Sequence, residues 1–306
     1  MLASKSGFSA VRVCPIDSVF VVIAIAIECV IHPLNLRLFM HSLSKIVAAL
    51  VSCCILSIAS AQSAGGNRPE APKRPQLPKG MTAIEPAALD LLRAMTDKLS
   101  GAKSMQFEAL VLSEFPSIDG IPVIYSTAAK VALQRPNKFD VVVWGDGPSS
   151  EVLFNGKQLF AYSPEKNLVA VSNAPSNIDE AAKFAYDKAG LFFPGDDLIL
   201  SNPYAHLTQG LTDAFIVGKT KLVGGVETNV IVMAGRQLQG QIWIGAKDNL
   251  PYMASWIYLG DKSLPRTTLQ YKNWKLNSSI PETRFDAGRF SKALTIEFAQ
   301  PDAPLN

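Results

Sequence analysis

The sequence predicts an α+β fold, an incomplete antiparallel β-barrel of about 11 strands with helices covering its concave face. Three observations lead there. From Lys103 onward the hydrophobic pattern has a period of two and is broken by tight turns, which joins strand to strand without crossover helices. A single amphipathic helix precedes the strands, and a helical insert of about 35 residues interrupts them midway. With 48% hydrophobic and 18% charged residues among 306, the chain can bury a substantial core and is not disordered as a whole.

The first 61 residues read as a leader. Met40 to Lys45 is a short basic start, Ile46 to Ala59 an apolar run, and Ala59-Ser60-Ala61 a small-x-small cleavage site. Together they make the three parts of a secretory signal, so 40–61 is expected to be a cleaved signal peptide that delivers the chain to the periplasm. Residues 1–39 are read as an over-extended gene start. Their apolar run from Phe20 to Ile31 contains Glu28 and is shorter than the roughly 20 residues a membrane span needs. Leu50-Val51-Ser52-Cys53 also spells a lipobox, which leaves a lipid anchor at Cys53 as the alternative. All four cysteines (Cys14, Cys29, Cys53 and Cys54) lie in this leader, and the remainder therefore needs no disulfide after export.

Residues 62–82 carry Pro69, Pro72, Pro75 and Pro78 among basic residues and almost no large apolar ones. Such a segment cannot offset its ordering entropy and is expected to be a flexible tether. One domain follows over 83–300, with a short tail at 301–306.

Within the domain, Pro86 to Leu99 has apolar residues at helical spacing, with Thr82 and Glu85 in capping-box register. Strands are expected over Gln106 to Phe115, Val123 to Leu133, Phe139 to Trp144 and Asn167 to Val171. Asn155-Gly156 is expected to join Glu151 to Phe154 and Lys157 to Tyr162 as a hairpin. Ser176 to Asp179 starts the helical insert, which contains Asp196-Asp197 and a further start at Ser201-Asn202-Pro203 carrying His206. Strands resume as Ala214 to Lys221, Val226 to Met233, Gln239 to Ile244, Tyr252 to Leu259, Thr267 to Lys275 and Leu294 to Phe298.

The residue types present exclude more chemistry than they supply. Beyond the leader there is no cysteine and a single histidine, His206, so no metal site is expected. No nucleophile elbow, P-loop or dinucleotide fingerprint occurs, which leaves no catalytic residues, no cofactor and no enzyme to propose. Asp196-Asp197 reads as a helix cap. A net charge of +3 on the whole chain gives no footprint for nucleic acid.

What remains is aromatic content: Phe139, Trp144, Phe154, Phe160, Tyr162, Trp243 and Trp256 on strands, with Phe184, Phe192 and Phe193 on the insert. Ordinary core accounts for most of them. Together they are also the candidates for lining an apolar cavity between a curved sheet and a helical lid.

Leu133-Gln134-Arg135-Pro136-Asn137-Lys138-Phe139, followed by Val152 to Pro164 with its Asn155-Gly156-Lys157 hairpin, resembles the paired signature of the periplasmic lipoprotein carriers. Asn273-Trp274-Lys275-Leu276-Asn277 with Ile280-Pro281 and Phe285 is similar to the closing motif of a predicted periplasmic protein family of unknown function in the same LolA/LolB-like superfamily. Glu85 to Leu89 and Trp243-Ile244-Gly245 with Leu250-Pro251 match that family too. The resemblance implies a LolA-like half-barrel with a helical lid, and it implies that Arg135 latches the lid.

The function expected is that of a non-enzymatic periplasmic protein that binds an acyl chain, a lipoprotein or another hydrophobic ligand. The alternative is an envelope sensory or interaction module using the same groove. Partners would be a lipid, an acylated protein or an envelope protein, with no nucleic acid, and a monomer is expected.

Overall fold

One twelve-stranded sheet organises the chain in the computed structural model, which describes residues 83–298 apart from 118, 192–194, 237 and 261–262. The expected leader, tether and tail lie outside the described residues. Six strands run as one antiparallel meander: β1 (Ser104–Pro116), β2 (Pro122–Gln134), β3 (Lys138–Gly145), β4 (Ser150–Phe154), β5 (Gln158–Ser163) and β6 (Leu168–Asn173). Five more form a second: β7 (Leu211–Thr220), β8 (Thr228–Gly235), β9 (Leu238–Gly245), β10 (Pro251–Tyr258) and β11 (Arg266–Leu276). β11 returns to pair with β1 and joins the two meanders into one open sheet.

This order dictates where the helical insert goes. β6 lies beside one edge of the sheet and β7 forms the other, so the chain between them must cross a face. The crossing segment holds α2 (Ile178–Ala189), a short 3₁₀ turn at Asp196–Leu198 and α3 (Pro203–Thr208). Asn177 starts α2 by accepting the Glu180 amide, and Gly190 ends it in a left-handed conformation that costs a residue without Cβ nothing. Asn202 accepts the Ala205 amide at the start of α3.

The first helix, α1 (Pro86–Ser100), buries Ala88, Leu92, Met95 and Leu99 against the same face. Its start differs from the expected capping box. Glu85 is the cap residue, and its carboxylate accepts the Ile216 amide of β7 instead of returning to the helix. Ala83 and Glu85 also exchange backbone bonds with Ala214, so this segment pairs with the edge strand.

Two further expectations need correction. The twelve strands match the expected number of about 11, but the last, β12 (Leu294–Ile296), runs parallel to β6 where antiparallel pairing is expected throughout. The hairpin closes on Asn155 and Gln158, with Gly156-Lys157 as its loop, because the Asn155 side chain accepts both the Lys157 and Gln158 amides. The chain after β11 covers part of the sheet. It forms two 3₁₀ turns, Glu282–Phe285 and Ala287–Phe290, whose phenylalanines pack with Leu153, Phe160 and Val169 on the face opposite the helices.

The closing motif can now be read physically. Asn273 and Asn277 have φ of 58° and 55°, a region in which asparagine is among the few tolerated side chains. The Asn277 amide oxygen accepts the Lys103 amide, fixing the end of β11 to the start of β1. Trp274 stacks on Phe107 at 4.4 Å between ring centroids and donates its indole N–H to the Pro251 carbonyl.

Candidate functional site

The two faces of the sheet sort the aromatic candidates. Phe139 and Phe154 are buried on the helix-covered face with ring centroids 5.5 Å apart, and Phe184 of α2 packs on the same core. Trp256 is buried there too.

Four others are elsewhere. Phe160 and Tyr162 contact Phe290 on the opposite face, at 5.9 and 4.9 Å between centroids. Trp144 lies on that face as well, 39% exposed beneath the Lys130 ammonium. Ile242 and Ile244 of β9 face the helices, so alternation turns the half-buried Trp243 away from them. Geometry thus removes Trp144, Phe160, Tyr162 and Trp243 from the layer between sheet and helices. Phe192 and Phe193 lie outside the described residues.

A cavity of about 420 Å³ opens between α3, the 3₁₀ turn and strands β7 to β10. Leu207, Leu211, Met233, Leu238 and Trp256 form its apolar wall. Gly240 makes room for the indole, since a Cβ there would stand 2.8 Å from Trp256 Cε3 and 2.4 Å from the Ser255 carbonyl oxygen. A second hollow of about 570 Å³ lies elsewhere and is lined by Glu108, Lys130, Glu151, Lys275, Arg284 and Arg289. Charges at that density suit an acyl chain poorly, because each would lose water without gaining a partner.

The segment that closes the first cavity is clasped at three points. Nη2 of Arg135 donates to the carbonyls of Ile199 (2.8 Å) and Leu200 (3.0 Å). Pro136 accepts the Ile178 amide at the start of α2, and the Asp179 carboxylate accepts the amide and hydroxyl of Ser201. Burial lowers the Arg135 pKa from its ordinary value, and the negative charge of Asp179 opposes that. Arg93 of α1 adds a fourth contact from outside, with its guanidinium 3.9 Å from the Tyr204 ring centre.

The polar groups of the site gather at the 3₁₀ turn. Burial pushes the Asp196 carboxyl up to about 7, and repulsion from Asp197 adds to this. Asp197 is raised by its own burial and pulled back by His206. Both carboxylates raise the hydroxyls of Tyr258 and Tyr271 beyond the effect of burial. Among the described residues no group of three or more His, Cys, Asp or Glu is placed to share a metal ion.

A stability effect follows from Asp196. The folded protein holds this proton to about pH 7, whereas the group's ordinary value is 3.8. Between those values the folded state binds more protons, so the stabilisation is complete below 3.8 and is lost as pH rises through 7. Asp196→Asn keeps the shape of the protonated acid. It is expected to stabilise the protein at pH 8 by about 1–4 kcal/mol and to do little at pH 4. Thermal melts at the two pH values check this, and an equal effect at both would sink it.

The family described as predicted periplasmic protein, DUF2092, matches residues 88–299. The chain belongs to this family. The match spans the sheet, the lid and the closing motif. Comparison with curated proteins finds no match. Among solved structures, the chain is similar to the Mycobacterium tuberculosis lipoprotein LppX at 15% identity, covering 64% of this chain and 98% of that one, with a TM-score of 0.42. It is also similar to the Pseudomonas aeruginosa MucA/MucB complex at 15% identity, covering 69% of this chain and 64% of that one, with a TM-score of 0.39. A LolA superfamily protein from Nitrosomonas europaea is 13% identical, with 66% and 98% of the chains covered and a TM-score of 0.30. No helix among the described residues of this DUF2092 protein is long and apolar enough to cross a membrane.

Proposed function

We propose that the protein is a non-enzymatic periplasmic binding protein that shelters an acyl chain or another hydrophobic ligand between its sheet and its helical lid. The observation that carries this reading is the apolar wall of the cavity beneath α3, whose volume lies within the range of small-molecule sites. In this reading Arg135 is the latch of the lid. One side chain holds two carbonyls of the segment that must move for a ligand to enter.

Titration of the delipidated protein with a fluorescent fatty alcohol tests the proposal. Saturable uptake at one site is expected, weakened at least tenfold by Met233→Trp, which fills the cavity. Trp144→Ala, on the other face, is expected to leave uptake unchanged. Absence of saturable uptake, or equal effects of the two substitutions, refutes it.

A further inference from the structure

One part of the cavity wall is acidic. Asp197 lines it directly, and Asp196 stands beside it in the same 3₁₀ turn. Two carboxylates drawn partly out of water need a counter-charge, and the cations near them supply little. His206 lines the cavity from an exposed position, where solvent screens its pull on Asp197. Arg236 lines the cavity from an exposed position, where solvent screens its charge.

A buried hydroxyl without a hydrogen-bond partner stands against the same turn. Tyr271 is 5% exposed, and its hydroxyl has no hydrogen-bond partner among the described residues. It ends against Gly195, the residue that caps the turn carrying both aspartates, and would stand 2.8 Å from a Cβ at that position. The cluster therefore holds two carboxylates and a phenol oxygen still able to accept a hydrogen bond. The indole of Trp256, whose face attracts cations, belongs to the same cavity wall.

We propose that the cavity selects hydrophobic ligands carrying a primary ammonium group, with Asp197 as the counter-ion and the apolar wall holding the chain. The inference rests on the cavity being a hydrophobic-ligand site. An ammonium supplies the positive charge that Asp197 needs and N–H donors that its carboxylate can accept, with the Tyr271 oxygen behind the turn as a further acceptor. A carboxylate headgroup would add a third negative charge to the same desolvated space.

Three ten-carbon probes separate the possibilities: decylammonium, decanol and decanoate, each below its micelle concentration, titrated calorimetrically at pH 7.5 into the delipidated protein in physiological salt. Decylammonium is expected to bind at least tenfold tighter than decanol, and decanoate more weakly than decanol. In Asp197→Asn the affinity ratio of decylammonium to decanol is expected to fall at least tenfold. The wild-type ranking is a test whether or not the variant folds. Decanol binding without an ammonium preference, or a preference that survives Asp197→Asn, overturns this inference alone. Binding of none of the three overturns the proposed function with it.

Discussion

Asp140→Ala is expected to lower the unfolding free energy by about 3 kcal/mol in urea titration. Asp140 is fully buried on the face opposite the helices. Its carboxylate meets Arg284 Nε at 2.5 Å and Arg289 Nη2 at 2.9 Å, and Arg289 continues to Glu151. Burial and the neighbouring Glu151 push this carboxyl up, to about 7, while the two arginines pull it down. Removing one partner of a buried ion pair costs about 3–5 kcal/mol, because the remaining charge is left unmatched. The lower end applies here, since Arg284 and Arg289 are 38% and 31% exposed and can recover water. The loss should loosen the turns from Glu282 to Phe290 first, visible as faster hydrogen exchange there than in β9 and β10. A change below 1 kcal/mol would mean that the cluster contributes no net stability.

Arg135→Leu is expected to open the lid locally without unfolding the sheet. The substitution removes a charged donor from two backbone carbonyls, at a cost of about 2–3 kcal/mol. Hydrogen-exchange protection across the 3₁₀ turn and α3 should then fall roughly 30- to 150-fold, and ligand should dissociate correspondingly faster. Protection of β9 and β10 should hold. Equal loss in lid and sheet would make Arg135 an ordinary structural residue.

The reach of the sequence differed from element to element for physical reasons. β1 and β2 were readable because one face packs on the core and the other does not, so their side chains alternate. β5 is buried on both faces, and its run of Leu159, Phe160 and Ala161 carries no periodicity. Which way Phe160 points then depends on its register with β4 and β6, and that is not local information. The same dependence misplaced Trp144 and Trp243.

The partners of Arg135 are main-chain carbonyls, which leave no trace in side-chain identity. Asp140 did leave one, as a lone charge within Phe139-Asp140-Val141-Val142-Val143, where a buried partner is almost obligatory. The acidic pair Asp196-Asp197 has the sequence of a helix cap. Its burial comes from a crossing that only the strand order explains.

That strand order leaves the sheet open, and each exposed border is met by a segment from outside the two meanders. The residues before α1 lie along β7, and β12 lies along β6. Uncovered borders of this kind are templates for another molecule's strand. Trimming only the two flanking segments, 83–85 and 294–296, would therefore remove little of the core and yet leave both hydrogen-bonding edges open to a second copy of the chain.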